Sequence, residues 1–362
     1  MWNRTSIRTI LAVAFTWCVC LAIQWQQASA QDVMAADPGP IAVPGGPLAP
    51  IPDMADASAH GYAAPYEPAL PADCGLGCFP SWYVQGEMLF FTKGGNGPWS
   101  MSNAIDLPEF DHELGMRITV GRRWDCAEGL EFSYVGPFEW LISGEANGFP
   151  LDSYFFAPGG DVDISAFNQA QAHRQTHRSE LHSVELNRRF WDWDTMSCLY
   201  GLRYFDVSEE FRFDSLGPLP LAEQGAFQVE AQNRLIGPQV GLDVIQPVGA
   251  SNRLTLIAKT KLGVYANFAE GNARLVNAGV QQFNNRDDKV AFAFHGELGL
   301  VANFQITRRL SVRGGYELWY LDGLTSADDP AAAPLSRTTG RGLNCKQDDW
   351  FHGATLGGLF TW

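Results

Sequence analysis

The chain has 362 residues and a formal net charge of −15, with 18 % charged and 12 % aromatic residues. It holds no basic tract that could neutralise phosphates, which excludes a nucleic-acid partner. Beyond the N-terminal leader no apolar run is long enough for a membrane-spanning helix. Few charges, many aromatics and no long apolar run fit poorly with a soluble enzyme, and fit well with strands that alternate apolar and polar residues.

The first element is a leader. Arg4 and Arg8 form a positive start, Ile10 to Ile23 is a short apolar stretch, and Ala28-Ser29-Ala30 is a small-x-small cleavage site before Gln31. Residues 1–30 therefore read as a Sec-type secretory signal peptide cleaved near Ala30. Residues 31–80 are rich in Pro, Ala and Gly, as in Pro44-Gly45-Gly46-Pro47. Without apolar periodicity this segment buries too little surface to offset the entropy of ordering, and it predicts a disordered periplasmic tether.

From residue 81 the pattern becomes period two, the mark of a strand with one apolar face. In Trp82–Phe90 apolar groups or Gly hold the even positions, with Gln85 and Glu87 between them. The same alternation recurs around Leu114–Val120, Leu130–Tyr134, Val184–Phe190, Tyr200–Tyr204, Val240–Val244, Leu254–Val264, Val290–Leu300, Leu310–Leu318 and Ala354–Trp362, which gives ten strands. Twelve result instead if segment 205–236 contributes an extra hairpin. The connections are read as alternating: long at 93–112, 143–178, 214–226, 269–288 and 322–349, short near Asp125-Cys126, 192–196, Val248–Asn252 and Thr307-Arg308. Sorted connections and an even strand number predict an all-β fold, a closed antiparallel transmembrane β-barrel over 81–362 with short periplasmic turns and long external loops.

Outward aromatics are expected at the periplasmic interface at Trp82, Trp124, Phe190, Phe304 and Trp362, and at the opposite rim at Phe90, Trp140, Phe268 and Tyr320. Arg122 and Arg188 lie two residues from girdle aromatics, within snorkelling reach of lipid headgroups. Pro238, inside a strand that has no free edge, predicts a bulge at Gly237-Pro238. The chain stops on Trp362, a terminal aromatic like the signal read by barrel-assembly machinery.

Several stretches resemble one family. Tyr83–Lys93 (YVQGEMLFFTK), Asn233–Leu242 (NRLIGPQVGL), Leu310–Gly323 (LSVRGGYELWYLDG) and the close from His352 to Trp362 are similar to the seventh β-barrel porin family, known mainly from planctomycete-type bacteria. The likeness spans residues 80–362. It implies an outer-membrane barrel of a Gram-negative cell, in contact with outer-membrane lipid, with no assigned substrate and no catalytic residues to carry over.

The inward positions collect Glu87, Arg117, Arg123, Glu131, Glu185, Arg189, Arg203, Asp243, Lys259, Lys261, Glu297, Arg313 and Glu317. The signs nearly balance, which predicts cross-barrel ion pairs that partly plug the lumen. Ten strands lie near the filled end of barrel sizes. The expected function is a narrow or gated porin-like pore for small solutes. The alternatives are a plugged structural or adhesion barrel working through its external loops, or a barrel hydrolase. No metal, cofactor or catalytic set is expected: the rim pairs Asp111-His112, Asp287-Asp288 and Asp328-Asp329 lack an Asp-x-His, and His182 with Ser179 and Ser183 has no fixed geometry. His295 beside Glu297 is read as hydrogen-bonded in the lumen. Cys126 and Cys198 fall in turns two strands apart, so a disulfide between them is allowed after export, as is pairing of either with Cys74 or Cys78. Cys345 is left over.

Overall fold

The computed structural model describes residues 81–94, 100–124, 127–193, 195–217, 224–249 and 253–362. Ten strands make up the sheet: β1 Ser81–Gly94, β2 Glu113–Arg123, β3 Glu128–Leu151, β4 Ala170–Trp193, β5 Met196–Leu216, β6 Gln224–Val248, β7 Leu254–Asn277, β8 Val280–Gln305, β9 Leu310–Leu324 and β10 Gln347–Thr361. Each pairs antiparallel with its neighbours in sequence, and β1 pairs with β10 to close the ring. The seam is finished by reciprocal backbone bonds, Trp82 N to Trp362 O at 3.0 Å and Trp362 N to Trp82 O at 2.9 Å. The fold is the all-β closed barrel that the alternation predicts. The predicted leader and tether, residues 1–80, lie outside the described residues, as does Cys126 and with it the Cys126–Cys198 pairing.

The outer face carries an apolar belt. At the short-turn end Trp82, Trp124, Phe304 and Trp362 are exposed and Phe190 is half-buried. Arg122 lies 5.3 Å from the Trp82 ring and Arg188 5.2 Å from the Phe190 ring. Toward the other end the belt stops at a collar of charges that face one another across strand pairs: Glu139 with Glu180, Asp206 with Arg234, Glu270 with Asp288, and Asp322 with Asp348. Beyond this collar β3 to β8 continue as a free-standing β-extension.

That extension corrects several sequence expectations. Segment 205–236 adds no extra hairpin; it is the far half of β5 and the near half of β6, paired from Met196↔Val244 to Leu216↔Gln224. The expected loop 143–178 shrinks to 152–169, and β5 and β6 reach into the expected loop 214–226 as far as Leu216 and Gln224. The expected loop 269–288 is not a loop. β7 and β8 run on to a two-residue turn, Ala278-Gly279, at φ 51° and 76°. Two left-handed residues in a row are the tight hairpin geometry that matches strand twist. Small inward residues, Ala269, Gly271 and Ala273, concealed the alternation there.

The predicted bulge at Gly237-Pro238 is also overturned. Ile236↔Ala266 and Gln239↔Gly263 keep one register across Pro238, so the ladder loses bonds without gaining a residue. The extra residue sits in β3 instead, at Gly136-Pro137, between the pairs Val135↔Ser183 and Phe138↔Leu181. A one-residue insertion exchanges the two faces of everything beyond it. Trp140, expected on the lipid face, therefore points inward and is 1 % exposed. Tyr320, expected at the same rim, is 0 % exposed and donates its hydroxyl to Asp348 at 3.3 Å. The Phe138 ring turned inward by the bulge fills the notch over Gly115, where an added Cβ would lie 2.4 Å from it. Gly115→Val should lower stability by about 1–3 kcal/mol through overpacking. Urea unfolding of the refolded protein checks this.

Candidate functional site

Among the described residues the lumen is where the strands gather buried charged groups, and β5 passes through each of its levels. From the short-turn end its inward residues are Ser197, Leu199, Gly201, Arg203, Phe205, Val207, Glu209, Phe211 and Phe213. β1 repeats the order: Tyr83 and Gln85, then Glu87, then Leu89 and Phe91, then Lys93.

The first level is a cavity of about 180 Å³ at the short-turn end. It is followed by an ion-pair layer that crosses the barrel. Arg117 bonds Glu87 at 2.8 Å and Glu317 at 2.6 Å. Arg313 reaches Glu87 at 3.0 Å, and Lys259 reaches Glu317 at 3.4 Å. Arg203 contacts Glu185 at 3.2 Å and Glu297 at 3.0 Å, and Lys261 contacts Glu185 at 2.9 Å. Nearer the mouth Arg189 holds Glu131 at 2.8 Å and Asp243 at 2.5 Å. Arg123 stacks on the Trp191 ring at 4.4 Å. All thirteen charges read as inward from the sequence thus lie inside the barrel, twelve of them in this network. Pairs at such burial lose hydration that their mutual attraction must replace, so each charge depends on keeping its partner.

Above the ion pairs lies an apolar layer that the sequence reading missed. Leu89, Phe91, Phe138, Trp140, Phe205, Trp319, Leu321 and Phe351 meet across the lumen with no exposure beyond 1 %. Phe91 stacks on Phe138 at 5.4 Å and meets the Trp319 ring edge-on at 5.4 Å. Such arrangements suit ring quadrupoles. His295 belongs to this layer, 4.9 Å from the Phe205 ring. Neither of its ring nitrogens has a hydrogen-bond partner among the described residues. This corrects its reading as a hydrogen-bonded lumen histidine, because Glu297 below it is engaged by Arg203.

Over the aromatic layer Lys93 bridges Glu209 and Asp349, the latter at 3.1 Å. The β-extension then closes on a second apolar core. Phe211, Phe213, Phe227 and Leu275 from the strands pack against Met101 and Ile105 of the β1–β2 loop, Phe155 and Phe167 of the β3–β4 loop, and Leu335 of the β9–β10 loop. The long loops are thus folded into the barrel extension. In the β9–β10 loop burial pushes the Cys345 thiol up from its ordinary value. Asp287 accepts the Gly342 N–H, and such backbone donors hold its carboxyl below the usual carboxylate range.

The residues weighed for hydrolysis do not converge. His182 lies on the outer face of β4, bonded to the Tyr134 hydroxyl at 3.0 Å, whereas Ser179 and Ser183 point inward. Ser179 accepts from Lys93 at 3.0 Å and Ser183 from Arg203 at 2.8 Å. A Ser102–His173 contact of 2.8 Å exists in the extension, but both side chains are buried, at 2 % and 0 % exposure. Asp328 meets His177 at 3.4 Å and Asp329 accepts from Asn344 at 2.8 Å. Cys198, expected in a turn, is paired into β5 opposite Phe190.

The geometry defines a class, a closed ten-stranded antiparallel β-barrel with an apolar belt and a lumen filled by its own side chains. No family model matches the chain and no curated protein does, so the porin-family likeness rests on the segments quoted above. Solved structures similar to it include outer-membrane proteins. The outer-membrane protease OmpT of Escherichia coli is 8 % identical, over 78 % of this chain and 96 % of that one, with a TM-score of 0.37. A mutant of the monoaromatic hydrocarbon channel TodX is 7 % identical, over 78 % and 90 %, with a TM-score of 0.32. A major outer membrane protein of Thermus thermophilus is 10 % identical, over 78 % and 99 %, with a TM-score of 0.28. Likenesses this distant carry no argument about activity.

Proposed function

We propose that this protein is an integral outer-membrane β-barrel sealed along its own lumen, which holds a loop-filled β-extension outside the membrane and passes no solute in this state. The observation that carries the reading is the inner face of β5, where each level from Arg203 to Phe213 is packed against the opposite wall. The apolar belt with its aromatic girdle supports membrane insertion. Four of the connections, those after β2, β4, β6 and β8, are short and lie on the side where β1 starts and β10 ends, which supports a periplasmic placement of that side. A water-filled path needs a continuous polar route, and the Phe91–Trp319–Phe138 layer interrupts it.

A second reading, a narrow gated pore for small solutes, is favoured by the cavity, lined by charged side chains, that reaches Arg117 and Lys261 from the short-turn end. One measurement separates the two. The chain from Gln31 onward, refolded and inserted in a planar bilayer, should stay silent under voltage, with folding verified independently. Stable stepwise conductance would overturn the sealed barrel and establish the pore.

A further inference from the structure

We propose that the cavity at the short-turn end is a binding site for a compact multivalent oxyanion, of carboxylate or phosphate chemistry. Six cationic side chains line it: Arg117, Arg123, Arg189, Lys259, Lys261 and Arg313. Among the described residues three carboxylates share that wall, Glu131, Glu185 and Asp243. The acids that answer Arg117, Arg313, Lys259 and, at 3.8 Å, Lys261, namely Glu87, Glu317 and Glu297, are not on the cavity wall but behind it, toward the aromatic layer. Among the described residues the mouth side is therefore richer in cations than in acids, while Glu87, Glu297 and Glu317, with Arg203, lie toward the plug. The wall is cationic inside a chain whose net charge is −15.

Low-dielectric walls focus such a field and concentrate counter-ions of the opposite sign. Two of the three wall acids are committed to one cation, since Glu131 and Asp243 both bind Arg189, and Glu131 also accepts from the Tyr83 hydroxyl. Lys259 has Glu317 at 3.4 Å as its partner among the described residues, and the Nε–H of Arg117 has no acceptor there. Guanidinium forks match the oxygens of carboxylate and phosphate. Neutral donors stand beside them on the wall, among them Gln85, Thr119, Asn187 and Ser197. A volume of about 180 Å³ admits a compact anion and excludes a nucleotide or an oligosaccharide.

The oxyanion has two sources. One is a small free anion. The other is this chain's own residues 31–80, which hold Asp32, Asp37, Asp53, Asp56, Glu67 and Asp73 and not one Lys or Arg. That segment joins the barrel at Ser81, itself on the cavity wall. The inference does not depend on whether the barrel conducts.

The test is calorimetric titration of the refolded chain from Gln31 onward with inorganic phosphate and with succinate. A second chain carries all six acids of 31–80 as Asn or Gln. Saturable binding that weakens as salt rises is expected. Equal affinity in the two chains identifies a free anion as occupant. Binding about tenfold tighter in the neutralised chain identifies the chain's own carboxylates. Lys259→Gln and Arg123→Gln should each weaken binding about tenfold, whereas Arg212→Gln on the outer face should not change it. Absence of saturable heat in both chains overturns the proposal, as does binding indifferent to both lumen substitutions. The comparison of the two chains needs no lumen variant, so it stands even where Lys259→Gln fails to refold.

Discussion

Replacing Arg203 by Met should lower the unfolding free energy of the refolded barrel by about 3–5 kcal/mol, the scale for breaking a buried ion pair from one side. Arg203 is buried at the boundary between the ion-pair and aromatic layers. It contacts Glu185 at 3.2 Å and Glu297 at 3.0 Å, donates Nε–H to Ser183 at 2.8 Å, and packs 4.1 Å from the Phe205 ring and 4.8 Å from the Trp319 ring. Methionine fills most of the space and supplies no charge. Two buried carboxylates are then left with Lys261, which reaches them at 2.9 and 3.8 Å. The control removes the whole cluster at once, as Arg203→Met, Lys261→Met, Glu185→Gln and Glu297→Gln. Because the penalty comes from stranded charge and not from the loss of an attraction, the fourfold variant should recover most of the stability. A loss below about 1 kcal/mol for Arg203→Met, measured by urea unfolding, would mean the layer is hydrated like a surface pair.

The second large effect is expected at Trp319. Trp319→Ala should cost about 3–5 kcal/mol, since it removes one of the two indole rings of the lumen's apolar layer and leaves a cavity its neighbours cannot close. Phe91 meets this ring edge-on at 5.4 Å, His295 stands against it at 6.1 Å, and the guanidinium of Arg117 lies 5.7 Å from it. The neighbours are held by their own strands, so collapse into the void is limited. Trp319→Phe should recover part of the loss. Trp350→Ala, a half-buried ring on the outer side of β10, should cost much less in the same unfolding assay. Equal losses at both positions would argue against a packed lumen.

These two sites differ in how legible they were. Alternation alone assigns Arg203 to the lumen, because Leu202 and Tyr204 flank it and side chains of a strand alternate faces. Trp319 lies in Leu318-Trp319-Tyr320-Leu321, where both faces are apolar and period two disappears. The same signal is present in Met88-Leu89-Phe90-Phe91. An apolar run on a strand means that both faces are dry. In a barrel with a lipid-facing side, the inward face must then be plugged. Trp140 was misplaced for a different reason: its face depends on the parity shift at Gly136-Pro137, and a proline announces neither a bulge nor its absence, as Pro238 demonstrates.

Read by itself, the sequence determined what one strand's chemistry dictates. Period-two alternation specified an all-β chain of ten strands or twelve, the outward aromatics Trp82, Trp124, Phe190, Phe304 and Trp362, and the inward set from Glu87 to Glu317, and the β5–β6 pairing settled the count at ten. Only the tertiary structure decided what depends on partners far apart in the chain. It joined Arg117 to Glu317 and Arg203 to Glu297, placed Glu87, Glu297 and Glu317 behind the cavity wall, and folded the long loops over Phe211 and Phe213. The physical reason is range. Face alternation is a local property of backbone geometry, whereas ion-pair choice, parity after a bulge and closure of the lumen depend on the register between strands, which no single strand encodes.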